Sequence, residues 1–244
     1  LKVIFAGYAS ALTISSDGTF PGRALRRQSG AVFLYSGQTG TGNPTDMSTR
    51  NLIFVIGPPA VGKMTVGRAI CERTGYRLFH NHMSIDLAIH FFDFGDAGFR
   101  ELSETIRSTV FKTVAESSVP GLVFTLVWAF DLESDTEYVQ RIAADWRDRT
   151  AGGFHVLELE SPLETRIERN RHPDRLTAKP CKRNIAGSEA NLRDLHERHR
   201  LNSGGTLPID GPHVVIDNEA LGPDEVAERF LTQTGLLRSV AGRG

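Results

Sequence analysis

Gly57-Pro58-Pro59-Ala60-Val61-Gly62-Lys63 sets two glycines and a lysine at the spacing G-x-x-x-x-G-K, directly after an apolar run and directly before a helical pattern. In that context the spacing has a chemical reading. Glycines let successive backbone N–H groups curl around phosphate oxygens, and the helix N-terminus adds partial positive charge. A lysine at this place reaches the terminal phosphates. Residues 57–65 are therefore the expected contacts of a nucleotide: Gly57, Pro58, Pro59, Ala60, Val61, Gly62, Lys63, Met64 and Thr65. Met64 stands where a serine or threonine hydroxyl would ordinarily bind magnesium, and a thioether is a poor ligand for so hard a cation. Thr65, one position later, is placed to bond a phosphate oxygen.

Two further places carry candidate chemistry. The strand ending at Phe79 runs into His80-Asn81-His82-Met83-Ser84-Ile85-Asp86. Ligands of open α/β sheets bind beyond the carboxyl ends of the strands, so this loop is expected to face the phosphates. His82 is a candidate general base or orienter of a substrate, and His80, Asn81 and Asp86 are candidate substrate contacts. A second apolar run closes on Trp128-Ala129-Phe130-Asp131. Asp131 is the expected carboxylate for orienting Mg²⁺ or its water, or for taking an acceptor proton, with capping of the helix near Ser134 as the plainer alternative. Trp128 is a candidate stacking surface for the acceptor, and core packing is its default role. His196 and His199 lie three apart on a helical pattern without a completing ligand, and read as surface or semi-buried packing residues.

The elements that must position these groups alternate. Asn51 to Ile56 is a continuous apolar run, the pattern of a strand buried on both faces of a parallel sheet. Further strands are expected at 76–79, 122–128, 154–159 and 214–216. Helices are expected at about 63–74, 84–92, 139–146, 188–200 and 223–234, with Leu102, Ile106, Val110 and Val114 marking another. Ser161-Pro162-Leu163-Glu164 reads as a capping box opening a helix. Phe91, Phe92, Phe94 and Phe99 read as a corner of the core. Strands alternating with helices argue for a three-layer α/β/α fold around a mostly parallel five-stranded sheet.

Composition sets the outer limits. The chain has 244 residues and a formal net charge of -1, which excludes a globally basic nucleic-acid binder. No run approaches ~18 apolar residues, so no membrane span is expected. Two cysteines, Cys71 and Cys181, make no disulfide framework and suit a cytoplasmic setting. Residues 1–46 are rich in Gly, Ser and Thr and read as an extension outside the functional core, which is expected to occupy 47–244. Between Arg166 and Arg183 seven cationic side chains (Arg166, Arg169, Arg171, Arg175, Lys179, Lys182 and Arg183) stand against Glu168 and Asp174, an arrangement that asks for an anion.

The loop GPPAVGKMT, the stretch LFHNHMSID, the strand running into VWAFD and the arginine-rich segment together resemble the P-loop small-molecule kinases. That group includes shikimate kinase, gluconate kinase, adenylate kinase and chloramphenicol phosphotransferase, and the resemblance is nearer still to shikimate-kinase-like proteins of undefined substrate. It covers about residues 51–234. It implies a P-loop NTPase fold with a helical lid at about 166–187, ATP and Mg²⁺ as cofactors, and transfer of the γ-phosphoryl group to a small-molecule hydroxyl. On this resemblance Arg166, Arg171 and Arg175 are the lid's expected phosphate contacts, with Arg166 and Arg175 catalytic beside Lys63. His80, Asn81 and His82 stand near where shikimate kinases carry two aspartates, which speaks against shikimate itself. A nucleotide-binding regulatory module without an acceptor, and a polynucleotide-end kinase, remain alternatives. No nucleic-acid or membrane partner is expected for the leading reading, and the chain is long enough to bury its core as a monomer or homodimer.

Overall fold

The computed structural model describes residues 49–171 and 185–237. Its strands are β1 (Asn51–Ile56), β2 (Arg77–His80), β3 (Gly121–Leu126), β4 (Phe154–Glu160) and β5 (His213–Asp217). Its helices are α1 (Lys63–Thr74), α2 (His82–Ala88), α3 (Ala97–Ala115), α4 (Glu133–Arg149), α5 (Leu163–Asn170), α6 (Ile185–Arg198) and α7 (Pro223–Gln233). All described strand pairs are parallel, in the order β2-β3-β1-β4-β5.

Alternation along β1 explains the three layers. Leu52, Phe54 and Ile56 face one apolar cluster, which takes in Phe111 and Ala115 of α3 and Val139 and Trp146 of α4. Ile53 and Val55 face the opposite cluster, with Val66 and Ile70 of α1 and Val226 and Phe230 of α7. Both faces of β1 are covered, so its run is apolar throughout. This is the expected α/β/α architecture.

Five local expectations change. The strand read over 122–128 stops at Leu126, and Val127 onward leaves the sheet. Helix α2 is shorter than expected, ending at Ala88. The capping box at Ser161 does not form: Pro162 is the N-cap of α5, no side chain caps the helix, and Ser161 Oγ is buried without a partner among the described residues. The buried stripe of α3 is Phe99-Ser103-Arg107-Phe111-Ala115, one step round the helix from Leu102, Ile106, Val110 and Val114, which flank it. The aromatic corner divides. Phe99 is fully buried against Phe94, whereas Phe91 and Phe92 are exposed.

No helix among the described residues is long and apolar enough to cross a membrane. The extension at 1–46, and Arg175, Lys179, Cys181, Lys182 and Arg183 of the expected lid, lie outside the described residues.

Candidate functional site

The turn from β1 into α1 is built by backbone conformations that few side chains tolerate. Gly57 has φ 130° and Gly62 φ 106°, and Ala60 is the one described non-glycine residue with positive φ, at 64°. A Cβ on Gly57 would overlap the Leu159 carbonyl oxygen of β4, so the loop lies hard against the neighbouring strand. Gly62 caps α1 without a side-chain bond, and no acidic residue occupies the helix's first turn. Its first N–H groups are thus available to an anion. Lys63 Nζ donates to the Gly57 and Pro58 carbonyls, each at 2.6 Å, which holds the ammonium at the mouth of the loop.

A cleft of about 400 Å³ opens beside this turn. Its lining includes Lys63, Met64 and Thr65 on one side and Arg169, Asn218 and Pro223 on the other. The far wall is braced to the loop. Asn218 Nδ2 donates to the Val61 carbonyl at 2.8 Å. Arg169 Nη1 donates to Val61 O at 3.2 Å and to Asn218 Oδ1 at 3.1 Å. Arg169 Nη2 donates to Asn218 O at 2.7 Å. Neither Asn218 nor a specific role for Arg169 was legible in the sequence, because their partner is a backbone carbonyl far away in the chain.

Two of the other expected arginines, Arg166 and Arg171, are engaged by partners within the protein. Arg166 is buried; its Nε donates to Ser161 O at 3.2 Å and its Nη2 to His196 Nδ1 at 3.2 Å. Burial lowers its pKa, and its Nη1 has no partner among the described residues. Arg171 Nη2 donates to Glu189 Oε2 at 2.7 Å, joining the end of α5 to α6. Arg166 and Arg171 thus brace the helices on either side of the segment expected to be the lid.

At the carboxyl end of β2, Asn81 N donates to Thr125 Oγ1 at 3.3 Å, and Thr125 also lines the cleft. His82 is buried, with Nδ1 3.8 Å from Asp86 Oδ1. Two residues on, Ser84 Oγ accepts from Nε of the buried Arg107 at 2.9 Å.

Beyond β3 the expectations divide. Trp128 is fully buried, stacked on Phe130 at 4.5 Å with Nε1 donating to Thr136, so it packs the core and offers no face to an acceptor. Asp131 does not cap α4, which begins after Leu132 without a side-chain cap. Instead, Asp131 Oδ2 accepts from His199 Nδ1 at 2.9 Å and Oδ1 accepts from Arg200 N at 3.0 Å. Burial alone would raise its pKa, but the bonds from His199 and the Arg200 backbone outweigh it and hold the carboxyl below its usual range. Both oxygens are occupied by protein donors, which is the arrangement of a positioning carboxylate rather than of an open metal ligand. His196 and His199, read from the sequence as packing residues, are therefore the partners of Arg166 and Asp131. Their own spacing gave no clue, since each partner comes from a different element. Cys71 is half-buried, and burial pushes its thiol up to about 11.

No protein-family model matches the chain, and no curated protein matches it. Solved structures do. A candidate kinase of Chloroflexus aurantiacus J-10-fl is 20% identical, with TM-score 0.55, over 79% of this chain and 100% of that one. The chain shares the α/β/α fold of that structure. Shikimate kinase of Acinetobacter baumannii, solved with shikimate, is 20% identical over 76% of this chain and 93% of that one, with TM-score 0.48. Chaetomium thermophilum Kti12, solved with ADP-AlF3, is 16% identical over 77% of this chain and all of that one, again with TM-score 0.48.

Proposed function

We propose that the protein is an ATP-dependent phosphotransferase moving the γ-phosphoryl group to a hydroxyl of a small molecule, a metabolite or an antibiotic. The observation that carries this reading is the turn at 57–63. It offers an uncapped helix N-terminus and a lysine ammonium at the mouth of a braced cleft. On this reading the phosphates lie in the turn, where backbone N–H groups and Lys63 neutralise their charge as it shifts during transfer. The base and ribose occupy the cleft, between the Arg169 guanidinium and the apolar edge of Leu221 and Pro223. The acceptor enters beyond the carboxyl ends of β2 and β3.

Magnesium held directly by a carboxylate does not suit the described cleft. Its lining supplies the hydroxyls of Thr65 and Thr125 but no carboxylate, and Met64 occupies the position where a hydroxyl ligand would stand. Mg²⁺ on this reading arrives with ATP and is held by phosphate oxygens and water.

The test mixes full-length protein and magnesium-ATP with pools of hydroxyl metabolites, nucleosides and antibiotics, read by mass spectrometry. The expected result is a phosphate-mass adduct made by wild type and lost in Lys63→Ala. Wild-type protein that binds ATP and phosphorylates nothing would overturn the reading. That result would favour a nucleotide-binding regulatory module, for which Met64 is the supporting observation.

A further inference from the structure

Helix α6 crosses the carboxyl edge of the sheet, and His196 within it and His199 just past its end are both tied to neighbouring elements. Leu192 packs with Ala60 of the phosphate turn and Ile167 of α5. Leu195, one turn on, packs with Ala129 beyond β3. His196 accepts from Arg166 of α5, whose Nε is tied to the Ser161 carbonyl just past the end of β4. His199 donates to Asp131, beyond the end of β3. The strand order places β1 and its phosphate turn between β4 and β3. The carboxyl end of α6 therefore runs from beside the phosphate turn to the segment beyond β3, and the chain then continues to β4, where Asn202 and Ser203 bond Glu158.

The joint that holds His199 is unusually well determined. Phe130 N donates to Arg200 O at 2.8 Å, Arg200 Nη2 returns a bond to Phe130 O at 3.0 Å, and Arg200 N donates to Asp131 Oδ1. The Arg200 guanidinium lies 5.7 Å above the Phe130 ring, which is itself stacked on Trp128. Ala129 N is taken by Asp135. Such a joint leaves the imidazole little freedom to turn. Its Nδ1–H is committed to Asp131, which makes Nε2 the ring's basic nitrogen, and Nε2 has no protein partner among the described residues. The side chain is 18% exposed, enough for a ligand to reach it.

We propose that His199 is the general base of the phosphotransfer, with Asp131 as its positioning residue. The inference rests on the phosphotransferase reading. The acceptor oxygen attacks the γ-phosphorus and a new O–P bond forms. The bond from that phosphorus to the bridging oxygen of ADP breaks, and ADP leaves with the electron pair. The hydroxyl proton passes to His199 Nε2 and from there to water. Asp131 stabilises the imidazolium and fixes the tautomer, as a carboxylate behind a catalytic histidine does. The charged groups around the imidazole are the carboxylates of Asp131 and Asp135, the Arg200 guanidinium, the Asp194–Arg198 pair of α6, and Arg166 with His196 one turn back.

His199→Asn is the informative variant, because the asparagine amide can keep the donor to Asp131 while Nε2 is lost. The reaction is the one the mass-spectrometric screen detects, with the acceptor that wild type phosphorylates, followed as kcat against pH. His199→Asn is expected to bind ATP as wild type does, lose about a hundredfold or more in kcat, and lose the acidic limb of the profile. Asp131→Asn is expected to lose less in kcat, with ATP binding unchanged, since Nε2 remains and only the hold on the ring is weakened. If wild type transfers phosphate and His199→Asn matches it within a few-fold with the same pH profile, the inference is overturned and the phosphotransferase reading stands. If wild type binds ATP and phosphorylates nothing, both fall.

Discussion

Asn218, at the end of β5, donates its side-chain amide to the carbonyl of Val61 in the phosphate turn, and Arg169 of α5 donates to the same oxygen. One carbonyl thus ties together the turn, the wall of the cleft and the helix that leads into the arginine-rich segment. A Cβ on Gly62 would sit 3.2 Å from Asn218 Nδ2, so the brace also depends on the glycine that begins α1. Asn218→Ala is expected to weaken ATP binding by roughly tenfold, the equivalent of one hydrogen bond of about 1–1.5 kcal/mol. Arg169→Ala is expected to lose at least as much. Since both hold the same oxygen, the double variant should lose less than the two single losses together, by about 1 kcal/mol. Isothermal titration with ATP measures all four proteins, and strictly additive losses would show that the two side chains do not act as one brace.

The phosphate turn predicts a graded cost for glycine replacement. Gly57→Ala combines a forbidden φ of 130° with overlap on the Leu159 carbonyl, a backbone atom that cannot step aside. Gly75, which ends α1, also has positive φ, at 74°, but nothing lies within 4 Å of its Cβ position. Gly75→Ala should cost about 1 kcal/mol, the strain of the left-handed region alone. Gly57→Ala should cost about 3 kcal/mol or more, with strain and overlap combined. Urea unfolding of the two variants gives the difference; equal costs would mean the turn relaxes away from β4.

What the sequence displayed, and what it hid, follows from how each signal is encoded. The phosphate turn was legible because its glycines, lysine, preceding strand and following helix are contiguous. The β1 run showed a strand buried on both faces because each face meets its own helix layer. The buried centre of α3 was misplaced by one step because Ser103 and Arg107 occupy it, and an apolar pattern points to the flank instead. Asp131 was visible as a carboxylate beyond a strand, but its partner His199 is 68 positions away, just past the end of α6. Asn218 was invisible for the same reason, standing 157 positions from the carbonyl it holds. Pairings of this kind arise only when the sheet order brings the strand ends together.

Arg107 tests the cost of that polar centre. Its guanidinium is buried between α2, α3 and α4, donating to Ser84 and lying against the Tyr138 hydroxyl. Arg107→Ala should destabilise the fold by about 3–5 kcal/mol, since it opens a cavity and strips the neighbouring hydroxyls of their donor. Arg107→Met keeps most of the volume and should lose clearly less. Thermal unfolding of both separates packing from charge. If Arg107→Met is as unstable as Arg107→Ala, the guanidinium's hydrogen bonds outweigh its bulk.

Glu158 gives the fold a defined acid sensitivity. It lies on β4 with its side chain fully buried, and four donors surround it. Asn202 Nδ2 and Ser203 N reach Oε1 at 2.9 and 2.7 Å, while Ser203 Oγ and His213 Nε2 reach Oε2 at 2.5 and 2.9 Å. Burial by itself would raise the carboxyl's pKa, but these donors overcome it and bring the group down from 4.5 to about 2. A folded-state pKa below the unfolded value means that the stabilisation is complete above about 4.5 and disappears as pH falls through about 2. The loss across that window is of order 2 kcal/mol. Glu158→Gln sets an amide N–H₂ against groups that are themselves donors, so it should be destabilised at neutral pH by about 2–4 kcal/mol. It should also lack this part of the acid dependence. Urea unfolding of wild type and variant at neutral pH and near pH 3 isolates the contribution of Glu158 from that of other carboxylates, Asp131 included. The gap between the two proteins should narrow in acid, and a gap of constant size would show that the Glu158 carboxyl titrates alike in the folded and unfolded chain.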